Sequence, residues 1–345
     1  MSPWERLAYD LGQGARVAWF LGHSLIAERL APPVTEPIEI EGKLPTRAQM
    51  LGDLMRLIRR DRANIAAGHY RVPRDLVGGP RAAWRQSRRF FADLGPIDRR
   101  RRAKRHDDWS EAADSADRRY PEYFRQNFHY QTDGYLSERS AELYDFQVEV
   151  LFNGAADAMR RQALVAIAEH LRDRRIAGQP LLDVACGTGR FLTFVKENWP
   201  RLPVTGLDLS GPYLRKARRD LEPWSWARLV EGPAERLPFA DGSFALVSCV
   251  FLFHELPRAV RAAVAAEMAR VLRPGGRLVF VDSFQHGDRP GYEGLLELFP
   301  RAYHEPYFAD YVRQDLAALF AELGLVPIRT ERAYLSKVMV LDKPA

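Results

Sequence analysis

The sequence predicts an α/β protein built on a doubly wound parallel sheet, preceded by a mostly helical segment. Three observations lead there. Short, nearly continuous apolar runs alternate with helical patterns between residues 181 and 282, as buried parallel strands and their crossovers do. The first run ends in an acid and two glycines one residue apart, and residues 326–341 read as two strands joined by a tight turn.

The first run, Leu181-Leu182-Asp183-Val184-Ala185-Cys186-Gly187-Thr188-Gly189, reads as a buried strand turning sharply into the helix that Arg190-Phe191-Leu192-Thr193-Phe194-Val195 can form. Unpaired backbone N–H groups gather at such a turn, and glycine leaves room for a small ligand. A dinucleotide site would want a third glycine where this chain has Leu192. Asp183 would repel a phosphate but hold an ammonium, which favours a phosphate-free, zwitterionic nucleoside such as S-adenosylmethionine. Pro203 to Ser210 reads as the second strand, with Asp208 at its carboxyl end, 25 residues after Asp183. An acid there can accept both ribose hydroxyls. Ser210 can cap the next helix, and Pro212 suits its first turn.

These residues resemble the class I S-adenosylmethionine-dependent methyltransferases, whose first motif runs acid-x-G-x-G-x-G; Ala185 stands in place of the first glycine. The resemblance implies a Rossmann-like, seven-stranded sheet that closes on an antiparallel C-terminal hairpin. It also implies that Asp183, Ala185, Gly187 and Gly189 seat the methionine moiety and that Asp208 takes the ribose. Leu209, directly after it, joins the cofactor-lining set.

Ala227 to Glu231 is the expected third strand, and Gly232-Pro233-Ala234-Glu235-Arg236-Leu237-Pro238-Phe239 follows. In the quinone C-methyltransferases of ubiquinone and menaquinone synthesis this place reads G-D-A-E-x-L-P-F, so the resemblance gives the adenine to Ala234 and Glu235. Pro233 replaces the acid that would accept the adenine amino group, a change worth about 1 kcal/mol of hydrogen bonding. The same group shows a tyrosine-aspartate pair on an entry helix, matched by Tyr144-Asp145 within an expected helix from Glu142 to Gly154. Tyr144 is thereby implied in closing the cofactor site.

Phe244 to Phe251 is the fourth strand. It carries Cys249, which with Cys186 reads as a small core hydrophobe beside the ligand crevice. Beyond it, Leu252-Phe253-His254-Glu255 occupies the place where the family faces its substrate. His254 is a natural base, since methyl transfer asks the protein to orient a nucleophile and remove its proton. No N/D-P-P-Y/F sequence stands here, which counts against methylation of nucleobase amines. Arg261 to Leu272 reads as a helix, Leu272-Arg273-Pro274-Gly275-Gly276 as the family's turn, and Arg277 to Asp282 as the fifth strand. An aromatic insertion over about 284–312 suits a substrate pocket, and His304 within it is a second acid/base candidate. The helix Asp315 to Leu323 then leads into the closing hairpin.

The N-terminal third differs in character. Of the net charge of +6, residues 1–125 carry 24 basic and 17 acidic side chains, so the remainder is near neutral. Trp4, Leu7, Ala8, Leu11, Ala15, Ala18 and Trp19 recur at helical spacing, which predicts a helix packed on the enzyme body, with an interfacial membrane helix as the alternative. Residues 31–46 read as a connector. A second helix from about Thr46 to Ala67 should bury Leu51, Leu54, Met55 and Ile58. The run Arg99 to Arg105 reads as a solvated face, with nucleic acid, an acidic lipid surface or a protein partner as alternatives.

The expected organisation is a helical, basic extension over 1–125 and a methyltransferase domain over 126–345, with its cofactor core near 140–280. The expected acceptor is a small hydrophobic or aromatic molecule, quinone-like or lipid-like. The alternatives are an RNA or protein methyltransferase docking through the extension and a catalytically silent cofactor-binding scaffold. No metal is called for. Two cysteines and no targeting segment point to the cytoplasm.

Overall fold

The computed structural model describes residues 1–31, 38–76, 79–109 and 120–345; residues 32–37 of the expected connector lie outside them. By packing the chain forms two compact units, the first of residues 1–68, 72–158 and 290–306 and the second of residues 69–71, 159–289 and 307–345. Composition changes at 125/126, whereas packing groups 126–158 and 290–306 with the N-terminal helices.

The second unit holds the sheet. Its strands are β1 (Leu181–Val184), β2 (Val204–Asp208), β3 (Ala227–Glu231), β4 (Phe244–Val250), β5 (Leu272–Ser283), β6 (Val326–Ala333) and β7 (Ser336–Asp342). They lie in the order β3-β2-β1-β4-β5-β7-β6. The pairs from β3 through β5 are parallel, and β7 runs antiparallel to both neighbours. The sheet is the one the sequence predicts. Its order reverses between β1 and β4, so the crevice opens beyond their carboxyl ends.

Burial explains the apolar runs. Leu181, Leu182 and Val184 of β1 and Leu246, Val247 and Cys249 of β4 have no exposed surface. Ser210 caps the helix Gly211–Leu221 by accepting from the Tyr213 N–H, and Asp315 caps Leu316–Glu322 through the Ala318 N–H. The Arg273–Gly276 turn is drawn into β5, because the Gly275 N–H donates to the Lys343 carbonyl and the Lys343 N–H to that of Gly276, both at 2.9 Å. Arg277 and Asp342, partners in the β5–β7 ladder, add a bidentate ion pair at 2.7 and 2.9 Å.

The first unit is helical, and here burial departs from expectation. The helix Pro3–Leu30 starts at a capping box between Ser2 and Glu5 but buries Tyr9, Gly12, Gln13, Phe20 and His23. The stripe of Trp4, Leu7, Ala8, Leu11, Ala15, Ala18 and Trp19 faces outward. Polar anchors decide the facing. The Tyr9 hydroxyl donates to Asp61 at 2.5 Å and the Gln13 amide to the Gly154 carbonyl at 3.1 Å. Arg16 pairs with Glu149 and Asp157 at 2.9 and 2.7 Å, and breaking such buried pairs costs more than exposing leucines.

The helix Arg47–Ala66 is turned likewise. Leu54, Leu57 and Ile58 are buried, as are Asp53 and Asp61, while Leu51 and Met55 are exposed. The arginine run is not wholly solvated either. Arg100, on the helix Pro80–Ala103, is 5% exposed and donates to the Tyr130 carbonyl at 2.9 Å and the Thr132 hydroxyl at 2.6 Å.

A Cβ on Gly206 of β2 would lie 2.7 Å from Cys186 Sγ and 2.9 Å from both Leu192 and Leu229. Gly206→Ala is expected to lower stability by about 1–3 kcal/mol, read as an earlier urea midpoint.

Candidate functional site

Asp183, Asp208 and Asp282 stand at or near the carboxyl ends of β1, β2 and β5. After β1 the chain reverses through left-handed residues at Ala185 (φ +57°), Gly187 (φ +54°) and Gly189 (φ +76°). Gly189 answers a packing need as well, since a Cβ there would sit 3.0 Å from that of Ala217. Ala185 holds its conformation at a cost of about 1 kcal/mol, the penalty an L-residue bears in this region.

Asp208 joins two loops. Its Oδ2 accepts from the Gly187 N–H and its Oδ1 from the Ser210 N–H, each at 2.8 Å, and its own carbonyl receives the Gly232 N–H at 3.0 Å. Leu209 sits half-buried beside it, and Ala234 and Glu235 are half-buried in the turn after β3. Asp183, 1% exposed, receives the Ser248 hydroxyl on Oδ1 at 2.6 Å. Its Oδ2 is buried with no hydrogen-bond partner among the described residues. Burial raises the Asp183 carboxyl to about 7 and the Asp208 carboxyl to about 6. Ser248 escaped the sequence reading, since a serine in an apolar strand carries no signal until register sets it beside Asp183.

Cys249 is paired in register with Val184 and has no exposed surface. Burial pushes its thiol and that of Cys186 well above the ordinary range, so both pack as neutral groups.

His254 lies in the short turn after β4, 8% exposed. Its Nδ1 stands 2.6 Å from Oδ1 of Asp282, a fully buried acid near the end of β5. A carboxylate only accepts, so it fixes a proton on Nδ1, while Nε2 stands 3.8 Å from Oε1 of Glu255. The Phe253 and Ser283 N–H groups, each at 2.7 Å, hold the same carboxylate. The Phe308 and Tyr311 rings stand 6.2 Å from the imidazole. Asp282 is the candidate-site side chain most clearly missed by sequence reasoning; an acid closing an apolar strand, as at Asp208, was the available signal.

His304 and Tyr144 belong to the first unit. His304 Nε2 is 2.6 Å from Gln126 Oε1 and its ring stacks on His106 at 4.4 Å. Burial, with the neighbouring His106, holds it down at about 4. Tyr144 lies on the helix Glu138–Leu151 and helps wall a cavity of about 250 Å³ with Phe90, Leu94 and Ile97. The remaining predicted residues, from Asp183 to His254, lie on the loops and strand ends of the one sheet.

A family model described as a methyltransferase domain matches residues 181–276. The chain is 38% identical over 143 residues to a demethylmenaquinone methyltransferase of Deinococcus radiodurans, covering 41% of this chain and 56% of that one. It is 36% identical over 143 residues to that of Thermus thermophilus, covering 41% and 61%. Against that of Lactiplantibacillus plantarum it is 30% identical over 221 residues, 57% of this chain and 89% of the relative. The chain thus spans less than two thirds of the length of the first two.

Two outcomes test the site's energetics. Asp183 releases its proton near 4 when unfolded and near 7 when folded, so the native state binds more protons between those values. Stability should therefore fall as pH rises from about 4 to about 7, and Asp183→Asn should flatten that slope in urea titrations. Ala185→Gly should raise stability by roughly 0.5–1 kcal/mol, seen as a later midpoint in the same titrations, by releasing a strained alanine.

Proposed function

The chain belongs to the class I S-adenosylmethionine-dependent methyltransferases, and from that premise we propose that it methylates a small hydrophobic acceptor bearing a hydroxylated, quinol-like ring. Bound S-adenosylmethionine supplies an electrophilic methyl group on a sulfonium centre. The buried, unpartnered Oδ2 of Asp183 is what supports the fit, for it is the acceptor that a methionine ammonium requires. Ala185, Gly187 and Gly189 present no bulk beyond a methyl group at the turn. Asp208, oriented by the Gly187 and Ser210 N–H groups, keeps further lone pairs for ribose hydroxyls. Ala234 and Glu235 are assigned to the adenine, and Leu209 and Cys249 to the walls.

The pairing of His254 with Asp282 carries the acceptor reading. Removing the proton from a ring hydroxyl pushes electron density onto the ring carbons, which makes one of them a nucleophile. An imidazole whose Nδ1 is held by a carboxylate is suited to that proton. The aromatic rings of Phe308 and Tyr311 offer a planar acceptor apolar surroundings, and the Tyr311 hydroxyl is engaged, donating to the Ser283 carbonyl at 2.6 Å. The relatives' naming as demethylmenaquinone methyltransferases supports a quinone-like ring. His304, held near 4 and bonded to Gln126, is the weaker base.

Transfer of a labelled methyl group to hydroxylated naphthalene acceptors tests the activity. His254→Ala and Asp282→Asn should each lower kcat about 100-fold or more with unchanged affinity for S-adenosylhomocysteine. A loss of affinity instead would give the pair a structural role. The affinity for S-adenosylmethionine should rise with pH through about 6 to 7, because the ammonium pairs with the ionised form of Asp183. Calorimetry in buffers of different ionisation enthalpy should show proton release on binding. Binding by Asp183→Asn should be weak and independent of pH.

A further inference from the structure

The outward face of the helix Pro3–Leu30 carries an apolar strip, joined near its C-terminal end by the exposed Arg29. Trp4 is 80% exposed, Leu11 65% and Leu30 64%, and Leu7, Leu25 and Ile26 each stand about half in solvent. At about 100° per residue, Trp4, Leu7, Leu11, Ala18 and Leu25 fall within about 60° of one another. No acid lies in that strip. At its edge stand Asp10, paired with Arg62 at 2.6 Å, and the exposed Glu28. The opposite face is pinned by Tyr9, Gln13 and Arg16, so the strip cannot roll inward.

The helix that meets Pro3–Leu30 at His23 is cationic on its exposed side. Arg81, Arg85, Arg88 and Arg89 on the helix Pro80–Ala103 are exposed, and no acid occurs between residues 76 and 92. Trp84, 60% exposed, lies among them with the Arg88 guanidinium 4.8 Å over its ring. Ser87, one turn on, bonds His23 at 2.7 Å, which brings this turn alongside Trp19.

We propose that this helix lies along the surface of an anionic lipid bilayer, with Trp4, Leu7, Leu11 and Leu25 sunk at the headgroup boundary and Arg81, Arg85 and Arg88 meeting the phosphates. Indoles favour that boundary, and arginine complements a negative surface. The helix rests on the membrane rather than crossing it, for no described helix is long and apolar enough to span one. A second copy of the chain would bring the same arginines against each other. The proposal is independent of the methyl-transfer reading.

The full chain is mixed with vesicles of phosphatidylcholine alone, or with about one-third phosphatidylglycerol, and sedimented at low and moderate salt. The protein should sediment with the anionic vesicles, less with the neutral ones, and less as salt rises. Leu7→Glu with Leu11→Glu should weaken binding to the anionic vesicles about tenfold or more. Arg81→Glu with Arg85→Glu should remove only the preference for anionic lipid. Val326→Glu with Ile328→Glu, exposed on β6, should change nothing. Trp4→Ser repeats the apolar test should the double variant fold poorly. Affinity for S-adenosylhomocysteine, unchanged throughout, separates this result from the fate of the cofactor site. Failure of the wild type to sediment with anionic vesicles, or a dimer in light scattering that Leu7→Glu with Leu11→Glu splits while vesicles stay unbound, would overturn the proposal.

Discussion

A carboxylate taken out of water must find a partner or keep its proton, and that constraint organises the second unit around Asp183. β1 is covered on both faces, and among the described residues its acid meets the hydroxyl of Ser248 on β4. The other oxygen is left without a partner among the described residues. A hydrophobic substitute would pack better there. The strand order that sets Ser248 beside Asp183 is therefore also what leaves its other oxygen unanswered.

The other strand ends solve a related problem in the opposite way. Asp208 gathers the Gly187 and Ser210 N–H groups from the loops after β1 and β2, and Asp282 takes those of Phe253, in the turn after β4, and of Ser283, at the end of β5. Those donors would otherwise be buried without acceptors. Each acid therefore holds a loop in place, and Asp282 also pairs with Nδ1 of His254. One residue type serves loop geometry and chemistry together.

The first unit follows a different logic. Its helices carry apolar stripes, but buried polar pairs choose which face turns in: Tyr9 with Asp61, Arg16 with Glu149 and Asp157, and Tyr292 with Asp53 at 2.7 Å. Phe20, Phe90, Leu143, Phe146 and Val150 then supply the apolar core. Leucines on the other face are left outside. The arginine run obeys the same rule, with Arg100 spent on internal carbonyl and hydroxyl groups while its neighbours are largely exposed.

By itself the sequence determined the sheet, since doubly buried strands must be apolar throughout, and the tight turn after β1, since Gly187 and Gly189 bear its left-handed backbone without the cost of a Cβ. Asp183 and Asp208 were legible because acids are rare at the ends of such runs. The facing of the N-terminal helices was not, because helical periodicity identifies a stripe without saying which side meets a core made by residues over 100 positions away, such as Gly154 for Gln13. Ser248 was not, for its partner Asp183 comes from a strand adjacent only in space, and Asp282, though it closes an apolar run as Asp208 does, acquires its pairing with the His254 turn only in the folded chain. Tertiary structure decided those matters, because hydrogen-bond partners and buried faces belong to the arrangement of segments, whereas strand and turn propensities belong to each segment alone.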